Sequence, residues 1–162
     1  SSDVCSSDLF IRLDVNDQSG APIADTFYWR SNDKYAGPGT NSGPLYGGFE
    51  AINKLPKVRL ASEARRVTLD GRPALQVRLR TPGKGLAFMV QLKLLEKKGG
   101  KPIRPTFYSD NFVSLLPGEE KTIVIDTPQN VPAGAELFLE GWNVDPVSAP
   151  VASFAEVATV EE

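Results

Sequence analysis

From Lys57 onward, apolar residues recur at every second position in short runs, and Gly, Pro or Asp-Gly turns separate them. Successive side chains of a strand point to opposite faces, so this is the signature of half-buried strands rather than helices. "KVRLAS" turns Val58 and Leu60 inward. "RRVTLDGRPALQVRLR" reads as a hairpin about Asp70-Gly71, a pair suited to positive φ, with Leu75, Val77 and Leu79 facing in and Gln76, Arg78 and Arg80 facing out. "LAFMVQLKLLEKK" alternates through Phe88, Val90, Leu92 and Leu94. "IRPTFYSD" and "FVSLL" follow, then Pro117-Gly118, which suits the centre of a type II turn, then "KTIVID" and "AELFLEGWNV". About seven short strands at roughly 8–12-residue spacing, without a helical stretch, predict an all-β immunoglobulin-like sandwich over residues 55–145. The Cys…Trp…Cys pattern of antibody domains is missing, so the apolar layer must hold the sandwich by itself.

Upstream, "LFIRLDV" places Ile11, Leu13 and Val15 on one face and Arg12 and Asp14 on the other, and "IADTFYW" reads as its return partner. The hairpin repeats later in the chain. "IRLDVNDQSGAPIADTFY" (11–28) matches "VQLKLLEKKGGKPIRPTFY" (90–108) with a single gap, and both run strand, Gly turn, Pro-Ile, Thr-Phe-Tyr. More strands follow the second copy, whereas a Gly/Pro/Asn/Ser-rich stretch follows the first. Residues 9–30 are therefore expected to be the closing hairpin of an earlier sandwich, with 31–54 a linker and 146–162 a loose tail in which "FAEVATV" adds at most an edge strand. Residues 1–8, within "SSDVCSSDL", have neither an apolar period nor capping logic and resemble sequencing-adapter read-through. They are set aside, and the polypeptide is expected to continue upstream.

Composition removes several kinds of chemistry. With no histidine, the commonest general base, the Ser-His dyad and most zinc sites are unavailable. The single cysteine, Cys5, has no partner for an internal disulfide. No apolar run approaches the length of a spanning helix. No metal, cofactor, nucleic-acid or membrane partner is expected. Residues 54–104 carry 14 Lys/Arg against 3 Asp/Glu, and Arg59, Arg78, Arg80 and Lys93 are expected on the outward sides of neighbouring strands. Such a face discourages edge pairing as a solvated surface, or docks an acidic neighbouring domain, or attracts polyanions. It lacks the interleaved aromatics of single-strand nucleic-acid binders.

Three stretches together carry a family resemblance: "TFYW" followed by "FEAINKLPKVRL", then "FYSDNFVSLLPGEEKTIVI", then "LFLEGWNV". They resemble the carboxyl-terminal immunoglobulin-like domain of glycoside hydrolase family 2 enzymes in the exo-β-D-glucosaminidase and β-mannosidase group. The likeness covers residues 9–30 and about 49–144 and departs from the pattern at 31–48, where the linker is longer and richer in glycine. It implies a non-catalytic accessory part of a multidomain hydrolase, packing against a catalytic barrel and a neighbouring sandwich, in a periplasmic or extracellular setting. The family's catalytic pair is two glutamates on barrel strands, and no stretch here corresponds to that barrel.

The remaining question is whether "TFYSDNFVSLLPGEE" (106–120) is a site or a fold element. Glycoside hydrolysis needs two spaced carboxyl groups. Glu119 and Glu120 are adjacent and point apart, and Glu136 and Glu140 flank an apolar strand. For sugar contact the candidates are Tyr108, Asp110 and Asn111. The structural reading puts Phe107 and Phe112 in the core and lets Asp110-Asn111 bond nearby backbone amides. The recurrence of "TFY" at 26–28 without Asp-Asn favours that reading. The rival functions are a carbohydrate-binding module, which would show exposed aromatics beside Asp/Asn, and a stalk-type sandwich.

Overall fold

The computed structural model describes residues 8–31, 50–127 and 130–151. The expectations for residues 1–7, most of the linker and "FAEVATV" lie outside the described residues. The chain divides into two compact units, Ser1–Leu55 and Pro56–Glu162.

In the first unit, β1 (Asp8–Asn16) pairs antiparallel with β2 (Pro22–Ser31). Asp17 organises the turn. Its Oδ1 accepts the Ser19 hydroxyl at 2.6 Å and the amides of Ser19 and Ala21, while Gly20 takes φ +88°. These bonds, the Ser19 hydroxyl foremost, hold the Asp17 carboxyl below its ordinary range. On one face Phe10 and Phe27 meet at 5.7 Å, and Arg12 bridges Asp14 at 2.7 Å. The other face carries Ile11, Leu13, Val15 and Tyr28, all exposed, Leu13 at 54%. The expected half-burial is not met, because the described residues of this unit supply no second layer of strands. A short 3-10 helix, Glu50–Lys54, completes the unit.

The second unit is a sandwich of two four-stranded antiparallel sheets. One has the order β3 (Ala61–Leu69), β4 (Arg72–Arg80), β8 (Glu120–Asp126), β6 (Phe107–Tyr108). The other has β10 (Val147–Pro150), β9 (Glu136–Glu140), β5 (Ala87–Leu95), β7 (Val113–Leu115). The inward set read from the alternation is buried: Leu60, Leu75, Val77 and Leu79 from one side, Phe88, Val90, Leu92 and Leu94 from the other. Ile123, Ile125, Leu137 and Leu139 close the layer, and Val58 packs at its margin. Asp70 and Gly71 both take positive φ, 49° and 75°, as a two-residue hairpin turn requires. Gly118 takes φ +76°, and the Glu119 amide reaches the Leu116 carbonyl at 3.0 Å across Pro117-Gly118.

Three expectations change. The segment after Asp145 is not loose throughout, since β10 pairs with β9 and the Val151 amide donates to Ala135 O at 3.1 Å. The two repeat copies also diverge. The first is a continuous hairpin to Ser31, whereas in the second β5 and β6 lie in different sheets. The Leu95↔Pro102 bridge starts a hairpin, but where the first copy has Asp25 the second has Pro105, which has no amide to continue the ladder. Finally, Arg78 and Lys93 belong to opposite sheets, so the basic residues do not form one face. Arg78 pairs with Glu120 at 3.1 Å, and Lys93 pairs with Glu140 and lies over the Phe138 ring.

The contrast between copies gives a direct test. Leu92→Ala should lower stability by about 2–5 kcal/mol through a core cavity. Leu13→Ala, at the matching position, should cost no more than about 0.5 kcal/mol in this chain. Urea unfolding midpoints check both, and equal losses would contradict the two-unit description.

Candidate functional site

The stretch around Tyr108 solves a local hydrogen-bonding problem. β7 is only three residues long, and it pairs with β5 at Ala87↔Leu115 and Val90↔Val113, around a bulge where Met89 takes φ +54°. Beyond Val90 that edge of β5 runs past the end of its partner strand, yet Leu92 and Leu94 are buried and their amides need partners. Side chains supply them. Asn111 Oδ1 accepts the Leu92 amide at 2.8 Å, and Asn111 Nδ2 donates to Leu92 O at 3.1 Å. The Tyr108 hydroxyl accepts the Leu94 amide at 3.1 Å, and the Ile103 amide donates to Leu94 O at 2.9 Å.

The register of β6 decides which aromatic does this. Tyr108 lies opposite the core residue Ile125, so it points between the sheets, and Phe107, opposite Asp126, points out. The expectation that Phe107 and Phe112 are core residues is therefore wrong: they are 61% and 52% exposed. In a strand of two residues the inward face is set by pairing with β8, and the inward position went to the residue with a hydroxyl to offer. Phe112 takes φ +57° and is exposed, whereas the next residue, Val113, is buried. Asp110 pairs with Lys121 at 2.6 Å and accepts the Asn111 amide at 2.8 Å. Burial pushes the Tyr108 hydroxyl above its ordinary pKa, opposed by the bond from the Leu94 amide. Of the three sugar-contact candidates, Tyr108 and Asn111 are thus committed to backbone groups, and Asp110 is half-exposed beside its lysine.

The rest of the stretch is also tied into the fold. Buried Thr81 donates its hydroxyl to Leu116 O at 2.6 Å and receives the Gly118 amide at 3.1 Å, pinning the Pro-Gly turn. Glu119 accepts the Leu116 amide at 2.7 Å. At the opposite end of β5, Asn143, which the sequence reading did not single out, accepts the Phe88 amide and donates to Pro56 O and Leu86 O. Gly141 permits this approach, because a Cβ there would lie 3.0 Å from Phe88 O. Among the described residues no group of three or more Cys, Asp or Glu is placed to hold a metal.

A second feature lies where Phe107 emerges. A groove of about 630 Å³ is lined by residues that include Phe107, Asp126, Asn130, Arg66, Arg72 and Ala74. Phe107, Asp126 and Ala74 lie in one row across β6, β8 and β4. Arg66 donates to Pro132 O at 2.9 Å. Among the described residues neither Arg72 nor Asp126 forms a salt bridge.

Two predictions follow from the β5 edge. Asn111→Ala strands two backbone groups of Leu92 and should cost about 2–4 kcal/mol, and Tyr108→Phe about 1–3 kcal/mol. Phe107→Ala should cost no more than about 0.5 kcal/mol. Because the folded state favours neutral Tyr108, its contribution is complete below the ordinary tyrosine pKa and is lost as pH rises through the raised folded value. Unfolding midpoints across that alkaline range should fall more steeply for the parent chain than for Tyr108→Phe.

Comparison with known proteins agrees with this architecture. The sequence profile of the exo-beta-D-glucosaminidase Ig-fold domain matches residues 41–144. The exo-beta-D-glucosaminidase of Arthroderma benhamiae is 29% identical over 139 residues, covering 84% of this chain and 16% of that protein. The enzyme of the same name from Amycolatopsis orientalis is 30% identical over 132 residues, covering 78% of this chain and 12% of that protein. The crystal structure of the Amycolatopsis orientalis exo-chitosanase CsxA superposes with a TM-score of 0.72 at 25% identity, over 90% of this chain and 18% of that one. The chain thus spans less than a fifth of the length of these relatives. It belongs to the exo-β-D-glucosaminidase Ig-fold domain family.

Proposed function

We propose that this chain is a non-catalytic accessory part of a multidomain glycoside hydrolase acting on β-linked glucosamine polymers, and that it packs against the catalytic barrel and a neighbouring sandwich. The observation that carries the reading is its match to a small fraction of enzymes named exo-β-D-glucosaminidase. The site geometry agrees. Tyr108 and Asn111 are spent on holding β5, Glu120 and Glu140 are paired with Arg78 and Lys93, and Glu119 is held in its turn. These acids are thereby occupied, whereas glycosidic attack needs two carboxyl groups held on opposite sides of the bond. The exposed apolar face of the β1–β2 hairpin supports membership of a larger assembly. Its counterparts Val90, Leu92 and Leu94 are fully buried in a complete sandwich, so Ile11, Leu13 and Val15 have the pattern of an inner face. A hairpin of two strands is marginal without such a cover. The exposed Phe107 beside Asp126 and Asn130 favours a second reading, sugar contact by this domain.

The purified chain should release no p-nitrophenol from its β-D-glucosaminide, and turnover abolished by a single Glu substitution would overturn the non-catalytic reading. For packing, the matching segment of the Amycolatopsis orientalis enzyme is removed. The truncated enzyme should aggregate or lose several degrees of thermal midpoint. Unchanged midpoint and activity after truncation would refute a stabilising accessory role.

A further inference from the structure

We infer that the open edge of β3 is a docking surface for the chain's own residues 152–162, which add to it as an antiparallel strand.

A strand at the edge of a sheet presents unpaired N–H and C=O groups, and proteins keep such edges short, bent or covered. Among the described residues the sandwich has four edge strands. Three are short, with β6, β7 and β10 holding two, three and four residues. β3 has nine, pairs with β4 in one unbroken register, and contains neither Pro nor Gly. Its outer side is therefore a straight run of backbone donors and acceptors long enough to template another strand.

The chain leaves the described sandwich beside that edge. β10 lies next to β3 where the two sheets meet. The Val151 amide donates to Ala135 O at 3.1 Å, and the Ala135 amide donates to Pro132 O at 3.1 Å. Pro132 O also accepts Arg66 Nη2 at 2.9 Å. One four-residue turn thus holds both Val151 and the carboxyl-terminal half of β3. A segment tethered there meets the β3 edge at high effective concentration, which no separate partner shares.

The segment itself is suited to the edge. "ASFAEVATVEE" (152–162) has no Pro or Gly, and Phe154, Val157, Thr159 and Val160 favour strands. Starting at the far end of β3, it must run antiparallel to it. With Ala152 and Ser153 making the turn, Phe154–Val160 match Val67–Ala61 residue for residue. That register puts Val157 opposite buried Ala64 and Phe154 opposite Val67. It also puts Glu156 opposite Arg65, which donates to neutral Gln76 at 2.8 Å and forms no salt bridge among the described residues. Opposite charges facing each other across two strands favour that pairing.

Hydrogen exchange followed by NMR tests the proposal. In the full 162-residue chain, β3 amides facing away from β4 should exchange at least about tenfold more slowly than in a chain ending at Val151. A full-length double variant, Val157→Pro with Ala158→Pro, should lose the same protection. Amides alternate along a strand, so one of those two positions must face β3. Amides facing β4 report the fold and should be unchanged throughout. Cross-strand contacts from the Phe154 ring to Val67 and from Val157 to Ala64 should fix the register. The proposal is overturned if the outer amides exchange equally fast with and without residues 152–162, or if protection survives the two prolines. Contacts that place Phe154 elsewhere, such as beside Phe107, would overturn it too. Protection that rises with protein concentration alongside a dimer in sedimentation would assign the edge to a second copy instead, which also refutes it.

Discussion

The sandwich depends on how one edge of β5 is completed. β5 is a central strand of its sheet, and on one side its ladder runs past the end of a three-residue neighbour. Four backbone groups at that edge belong to buried Leu92 and Leu94, and each would cost about 1–3 kcal/mol if left without a partner. The Asn111 amide stands in for a strand residue by offering an acceptor and a donor to the same position, and the Tyr108 hydroxyl continues the ladder one step further. Because Tyr108 belongs to the opposite sheet, the same bond also couples the two layers. Two residues of that stretch, Tyr108 and Asn111, thus have structural partners in the backbone of β5.

The same arrangement frees Phe107. Once Tyr108 takes the inward position, its neighbour must point out, and pairing with β8 sets that ring beside Asp126 over the sheet. The outward aromatic is a consequence of the inward hydrogen bond, and the groove follows from both. Pro105 is the local cause, since it ends the hairpin that the first repeat copy continues and sends the chain into the other sheet. Charge is handled locally as well. Two of the fourteen Lys/Arg of residues 54–104 meet acids on adjacent strands, Arg78 with Glu120 and Lys93 with Glu140, and these two belong to different sheets.

Much of the fold was legible in the sequence because it is governed by local rules. The period-two alternation of residues 75–79 and 88–94 fixed the inner layer, since slipping either strand by one residue would expose every leucine in it. Asp70-Gly71 and Pro117-Gly118 specified their turns through backbone preferences that act within four residues. The resemblance carried by "FYSDNFVSLLPGEE" and "LFLEGWNV" located the family, although those residues mainly build the sandwich.

Tertiary structure decided what local pattern cannot encode. A strand of two residues has no period, so only pairing with β8 could choose Tyr108 over Phe107 for the core. Asn111 and Asn143 bond backbone groups 19 and 55 residues away, and no spacing rule brings such partners together. The sheet to which Lys93 belongs, and hence its distance from Arg78, depends on strand order rather than on sequence separation. The alternation of Ile11, Leu13 and Val15 determined by itself that the hairpin has an apolar face. Whether such a face is covered depends on the layer opposite it, because burial is a property of the assembled surfaces and not of the strand that carries the residues.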